Sequence, residues 1–299
     1  MAFSLAQDSR QALAETGRAP LRVGLIGKGI QLSRTPAMHE AEGRAQGLDL
    51  HYDLIDPDAM TGPQPTLAQM LDAAQDAGFA GVNVTFPYKK AVIALLDDIS
   101  APARVVGAVN TVVFADGKRR GHNTDYWGFA ESLRRGLVGA NMDSVLLLGA
   151  GGAGGAVAHA LVSLGVKQLM ITDRDPAAAA SLAAEVGGTA VTDLAAAAKA
   201  ADGIVNATPM GMAKLPGTAI DTALLEPRHW VADIVYFPLE TELLRAARTR
   251  GCRILNGSGM AVFQAVRAFS LFTGLTPDTN RMRATFEAFS QVHDTQKGG

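Results

Sequence analysis

The chain has 299 residues, 48% of them hydrophobic, with a formal net charge of −2 and a single cysteine, Cys252. A near-neutral chain without a basic run gives no footprint for nucleic acid or an anionic membrane. No apolar run reaches transmembrane length, and one thiol excludes an internal disulfide. What is left is a small-molecule partner and a reducing cytoplasm, with a length that suits two domains, each able to bury its own core.

Residues 1–20, with Gln7, Asp8, Ser9, Arg10, Gln11 and Glu15, read as a poorly ordered N-terminal extension lacking the sustained apolar stretch of a secretory signal. Leu21 to Ile26 is a short apolar strand, a helix starts near Pro36, and His51 to Ile55 is the next strand. Ala80 to Val84 supplies a third strand that Pro87 stops, Lys89 to Leu96 a helix, and Ala108 to Phe114 a strand before the turn at Asp116 and Gly117. The first third is therefore α/β. After a loop at His122 to Asp125, Gly128 to Leu137 reads as a helix leading into V-L-L-L-G-A-G-G-A-G-G-A at 145–156.

In that run Gly149, Gly151 and Gly154 fill the glycine places of G-x-G-x-x-G, serving the tight turn, close approach of a pyrophosphate, and packing of helix on strand. The motif lies between an apolar run and an alanine-rich helix. Asp173 ends the next strand, roughly 20 residues on, where a carboxylate meets a ribose. A glycine-rich packing turn is the competing reading of the run. Strands and helices then alternate: Leu169 to Thr172, Ala177 to Val186, Thr189 to Val191, an alanine-rich helix to Ala201, Gly203 to Asn206, and Val231 to Val235. This predicts a parallel sheet covered on both faces. Beyond it, Met260, Val262, Val266, Phe269 and Phe272 recur at helical spacing and need a partner face, so the tail is expected to return to the first domain. The predicted organisation is a substrate-binding domain over 21–125 plus 256–299, a Rossmann-like nucleotide domain over 126–255, and a cleft between them.

Polar residues gather at predicted strand ends. In Ser33-Arg34-Thr35-Pro36, two hydroxyls precede a helix, where they cap it or receive an anion; local pattern favours the cap. In Asn83-Val84-Thr85-Phe86-Pro87-Tyr88-Lys89, Lys89 opens a predicted helix against the macrodipole, which hints at function, although a solvated surface lysine reads equally well. Gly107-Ala108-Val109-Asn110-Thr111 and Gly121-His122-Asn123-Thr124-Asp125 look singly like ordinary turns; together the clusters favour a polar pocket.

Taken in order, N-V-T-F-P-Y-K at 83–89, G-A-V-N-T at 107–111, G-H-N-T-D at 121–125, N-A-T-P-M-G-M at 206–212 and Met260 with Gln264-Ala265 resemble the shikimate dehydrogenase family over about residues 21–285. S-R-T-P in place of S-x-S-P is closest to its NAD-preferring quinate/shikimate branch. The resemblance implies that Ser33 and Thr35 receive the substrate carboxylate, that Thr85, Asn110 and Gln264 meet ring hydroxyls with Asn83 and Tyr236 nearby, and that Lys89 and Asp125 are the catalytic pair. It implies a dinucleotide site of Gly149, Ala150, Gly151, Gly152, Ala153, Gly154, Asp173, Arg174, Asn206, Thr208, Met210, Val235, Gly257 and Met260. His39 and His122 are read as satisfied structural histidines.

The implied reaction oxidises the C3 alcohol of shikimate or quinate, or reduces the 3-dehydro acid, by hydride exchange with nicotinamide, with Lys89 as acid/base and Asp125 orienting it. No metal is called for. Asp173 suits the ribose hydroxyls of NAD and repels the 2′-phosphate of NADP. Arg174 speaks for NADP, and Asp173 with Asp175 outweighs it, so NAD is expected. A homodimer is an allowed assembly. Gly29 and Leu32 stand where the family often has proline and histidine, which leaves the ring substituents open to an amino analogue. A sensor that binds NAD or the ring acid without turnover is the non-catalytic alternative, against which both Lys89 and Asp125 are present. A folate-type or tRNA-linked reductase fits the substrate motifs poorly.

Overall fold

The computed structural model describes residues 20–295, with side chains through residue 288; the N-terminal extension, its last residue apart, lies outside the described residues. By internal packing the chain divides into two units, residues 1–124 with 265–299, and residues 125–264.

The first unit carries β1 (Leu21–Ile26), α1 (Thr35–Ala45), β2 (Leu50–Ile55), α2 (Leu67–Asp76), β3 (Gly81–Val84), β4 (Asp98–Ile99), α3 (Ala101–Val106), β5 (Thr111–Ala115) and β6 (Lys118–His122). Its sheet has the order β2-β1-β3-β5-β6-β4. β1 runs parallel to β2 and β3, whereas β3–β5 and β5–β6 are antiparallel. The hairpin between β5 and β6 turns at Asp116 and Gly117, with φ of 53° and 72°. Two adjacent positive φ values are what an Asp-Gly hairpin turn requires. Ile26, Val82, Val84 and Val112 pack with Met70, Leu71 and Ala74 of α2 to form the core. A reciprocal capping box between Thr66 and Gln69 opens α2.

Three local expectations shift. The helix predicted over Lys89 to Leu96 is a turn followed by a 3-10 helix, Ala91–Leu95. The Lys89 carbonyl accepts from the Val109 N–H at 2.8 Å and the Ile93 N–H turns to the Lys90 carbonyl in a 3-10 bond, so the macrodipole argument for Lys89 lapses. The strand predicted from Ala108 starts at Thr111, because Gly107 ends α3 in the left-handed region (φ 63°) and the chain must first recover from it. The helix predicted from Gly128 already begins at Thr124, which puts Asp125 in a first turn rather than a loop.

The second unit holds most of α4 (Thr124–Gly136), then β7 (Ser144–Leu148), α5 (Gly152–Ser163), β8 (Gln168–Thr172), α6 (Pro176–Val186), β9 (Thr189–Ala190), α7 (Leu194–Ala200), β10 (Gly203–Asn206), β11 (Trp230–Asp233), α8 (Glu242–Thr249) and β12 (Arg253–Leu255). Its strands are all parallel, in the order β12-β11-β10-β7-β8-β9. The period-2 alternation of β7 feeds two cores: Val145 and Leu147 pack with Val157 and Leu161, Leu146 and Leu148 with Leu243 and Leu244. Strand order reverses between β7 and β10, which opens a crevice at their carboxyl ends.

The tail forms α9 (Ser258–Thr273) and α10 (Thr279–Thr295). In the first unit Phe269, Phe272, Met282 and Phe286 are buried, and Arg281 pairs with the buried Glu42 of α1 at 2.6 Å. In the second unit Gly128 of α4 lets the α9 backbone approach closely, since a Cβ there would lie 2.8 Å from the Gln264 nitrogen. Among the described residues, no helix is long and apolar enough to cross a membrane.

Candidate active site

Two side-chain constellations stand at strand ends, one in each unit. In the second, the loop after β7 fits a dinucleotide through what its glycines lack. Gly149 has φ +105° and lies so close to Ala207 that a Cβ would come within 2.9 Å of its carbonyl carbon. A Cβ on Gly154 would overlap the Gly149 carbonyl oxygen, so this glycine sets the approach of α5 to β7. Gly151 and Gly152 differ: a Cβ on either meets no protein atom within 4 Å. The start of α5 has no side-chain cap, and its first-turn N–H groups with the open glycine space make a cradle for a pyrophosphate. Ala150 and Ala153 complete the loop.

Asp173, at the end of β8, accepts from the Ala150 N–H at 2.7 Å and from the Asp175 N–H at 2.9 Å. Its carboxylate therefore shapes the glycine loop while keeping acceptor capacity for ribose hydroxyls. Asp175 caps α6 by accepting from the Ala177 N–H at 2.9 Å. Asp175 and Arg174 are both exposed in this turn.

Across the switch point, Asn206 ends β10 and organises the loop beyond it. Its Oδ1 accepts from the Thr208 hydroxyl at 2.6 Å and the Thr208 N–H at 3.1 Å, and its Nδ2 donates to the Met210 carbonyl and to Asp233 Oδ1. Asp233, at the end of β11, also accepts from the Val235 N–H at 3.0 Å and the Thr241 hydroxyl at 2.7 Å. Burial pushes its carboxyl up to about 6, against the opposing pull of Thr241, Val235 and Asn206. Gly257 lies against the Ile234 and Val235 carbonyls, Met260 packs on the core below, Tyr236 is 44% exposed, and Gln264 donates to the Ala261 carbonyl.

In the first unit the polar residues lie at the ends of β1 and β3 and around β5. Ser33 Oγ meets the Thr35 N–H at only 3.4 Å, and α1 has no side-chain cap at its N-cap residue, Arg34. A helix start with two half-buried hydroxyls and a weak cap suits an anion better than the cap favoured by local pattern. Asn83 is occupied: it accepts from the Tyr52 hydroxyl at 2.7 Å and donates to Thr111 Oγ1 at 2.9 Å. Asn110 accepts from the Thr124 N–H at 2.7 Å and gives an amide hydrogen to Thr124 Oγ1 at 3.0 Å, leaving the second for a ligand. Thr85 follows β3 and is half-buried, as is Lys89, whose backbone is tied to Val109. Asn123 is buried and donates to the Ala108 carbonyl, which ties G-H-N-T-D to G-A-V-N-T. In the second unit, Asp125 is buried in the first turn of α4.

His39 is fully buried, but neither ring nitrogen has a hydrogen-bond partner, which corrects the expectation of a satisfied histidine. It sits among Tyr52, Phe269 and Phe272, with ring centroids 5.0–5.9 Å away, and burial lowers its pKa to about 3. His122 is half-buried on β6, and burial with Arg267 and Arg120 nearby lowers its pKa. Sequence reasoning passed over Asp56, Tyr52, Asp233 and Thr241. The signal for the two acids was a carboxylate directly at a strand end, the position that made Asp173 legible. Among the described residues no group of three or more His, Cys, Asp or Glu could hold a metal.

The chain matches the shikimate dehydrogenase substrate binding domain over residues 25–112, shikimate / quinate 5-dehydrogenase over 132–232, and the shikimate 5′-dehydrogenase C-terminal domain over 257–285. It is 55% identical to the quinate/shikimate dehydrogenase (NAD(+)) of Corynebacterium efficiens, across 88% of this chain and 96% of that protein. It is 52% identical to the shikimate dehydrogenase (NADP(+)) of Streptomyces avermitilis, across 88% of this chain and 93% of that protein. Its structure is similar to quinate dehydrogenase from Corynebacterium glutamicum in complex with NAD, with a TM-score of 0.86 and 50% identity, covering 90% of this chain and 99% of that one. The chain belongs to the shikimate dehydrogenase family.

Proposed function

We infer that this protein is an NAD-dependent oxidoreductase that interconverts shikimate or quinate with the corresponding 3-dehydro acid. The observation that carries the reading is the pairing, in one chain, of an uncapped glycine cradle braced by Asp173 with a polar side-chain cluster built around Asn83 and Asn110. Bound nicotinamide supplies the hydride acceptor. Ser33 and Thr35 hold the ring carboxylate, and Thr85, Asn110 and Gln264, with Tyr236, orient the ring hydroxyls. Lys89 takes the proton of the C3 hydroxyl during oxidation and returns it during reduction, and Asp125 orients the ammonium. Gly149, Ala150, Gly151, Gly152, Ala153 and Gly154 cradle the pyrophosphate. Asp173 takes the adenosine ribose with Arg174 beside it, and Asn206, Thr208, Met210, Val235, Gly257 and Met260 line the nicotinamide half. A cytoplasmic location agrees with the single buried thiol of Cys252.

Initial rates with quinate and with shikimate, each with NAD and with NADP, test this directly. The expected result is NADH production from at least one acid with a higher kcat/KM for NAD. Binding without turnover of either acid overturns the enzyme reading, and an NADP preference overturns the role given to Asp173.

A further inference from the structure

One buried acid in the first unit takes no part in this chemistry. Because β1 and β2 are parallel neighbours, the segments leaving their carboxyl ends lie side by side. Asp56, 3% exposed, stands directly after β2 and gathers the donors of the segment after β1. Its Oδ2 accepts from the Ile30 N–H and from Gln31 Nε2, both at 3.2 Å. Its Oδ1 accepts from the Asp58 N–H at 3.0 Å and so caps the 3-10 helix Pro57–Ala59. An ion pair between Lys28 and Asp58 at 3.0 Å closes the same two segments from outside. The Ser33 N–H in turn donates to the Ile30 carbonyl at 2.9 Å, so the fixed segment leads directly into Ser33 and Thr35.

We propose that Asp56 is a positioning residue for the carboxylate subsite: it pins Ile30 and Gln31 so that the Ser33 and Thr35 hydroxyls are preset for the substrate carboxylate. The inference rests on the reading of Ser33 and Thr35 given above. Only an ionised carboxyl can accept from this many donors at once; asparagine would turn an N–H toward either the Ile30 and Gln31 donors or the Asp58 donor. Burial alone would raise the Asp56 pKa, but the hydrogen bonds from Gln31, Asp58 and Ile30 hold it below the ordinary aspartate value, so the acceptor is present at neutral pH.

The test is steady-state kinetics of Asp56→Asn, Gln31→Ala and Ser33→Ala on the ring acid and on its carboxamide analogue. Asp56→Asn is expected to raise KM for the acid about tenfold, with kcat and the KM for NAD within about threefold of wild type. The preference for acid over carboxamide should fall with it, which loosening of the fold alone would not produce. Gln31→Ala, at an exposed residue that donates one of these bonds, should shift the same preference about two- to threefold and keeps the test open if Asp56→Asn fails to fold. If Ser33→Ala lowers the acid preference while Asp56→Asn and Gln31→Ala do not, the positioning role is wrong and the subsite reading stands. If Ser33→Ala leaves the preference unchanged, the subsite reading itself fails.

Discussion

The two units hold their polar groups by opposite means. In the second, the cradle after β7 is shaped by main chain and by missing side chains, with one acid, Asp173, bracing it: Gly149 and Gly154 permit contacts that a methyl group would block, and Gly151 leaves space open. In the first, the cluster around β3 and β5 is shaped by side chains that bond one another, as in Tyr52 to Asn83 to Thr111 and Thr124 to Asn110. A backbone-built site tolerates no added atom, whereas a site built from side chains tolerates no removed one. Substitutions that add or delete single groups therefore separate the two kinds of construction.

The largest effect is expected from Lys89→Ala, which should lower kcat by about 100-fold or more, because a positioned proton donor typically contributes that much. The Lys89 carbonyl remains bonded to Val109, so circular dichroism should report an unchanged fold. A kcat within about threefold of wild type would remove Lys89 from the chemistry. The next contrast lies inside the glycine loop. Gly154→Ala forces apart α5 and β7 and should cost about 1–3 kcal/mol by chemical denaturation as well as raising the KM for NAD. Gly151→Ala, whose methyl meets no protein atom, should leave stability within about 0.5 kcal/mol of wild type and still raise the KM for NAD about tenfold. Equal destabilisation by both would show that Gly151 serves packing and not the ligand.

A further contrast is in tilts of stability with pH, of opposite sign in the two units. His39 titrates near 3 when folded against 6.5 when free, so the unfolded chain binds the extra proton and stability falls as pH drops from about 6.5 toward 3. Asp233 titrates near 6 when folded against 3.8 when free, so the folded chain binds the extra proton and this contribution falls as pH rises from about 4 toward 6. Urea titrations from pH 4 to 7 should show His39→Leu flattening the first tilt, with no loss of stability at pH 7 because two unpartnered nitrogens are removed. Asp233→Asn should flatten the second while keeping a bond to Thr241, since the new amide can donate where the carboxylate accepted. A variant whose pH slope matches wild type shows that its residue does not carry the tilt.

Much of the fold was legible because its strands are short apolar runs punctuated by glycine, and because Asp116-Gly117 allows one kind of hairpin turn. The alternation after residue 145 likewise dictates a parallel sheet with two covered faces. What could not be read locally was decided by distant partners. The segment at Lys89 has helical spacing, yet its first carbonyl is taken by Val109, 20 positions away in the chain. Asn83 looks like a ligand-facing amide, but Tyr52 and Thr111 occupy it from strands on either side. Asp175 has the charge of a cofactor-selecting acid, and it also caps α6. Residue type and spacing revealed the polar clusters; which members are already occupied depends on the neighbours that the sheet supplies.

Asp173 bonds at once to the Ala150 and Asp175 N–H groups, so the side chain proposed to choose between cofactors is also a brace for the glycine loop. Redirecting this enzyme toward a phosphorylated ribose by exchanging that one acid would also unfasten its anchoring points. A successful redesign must first provide Ala150 with another acceptor, so selectivity here is a property of the whole turn.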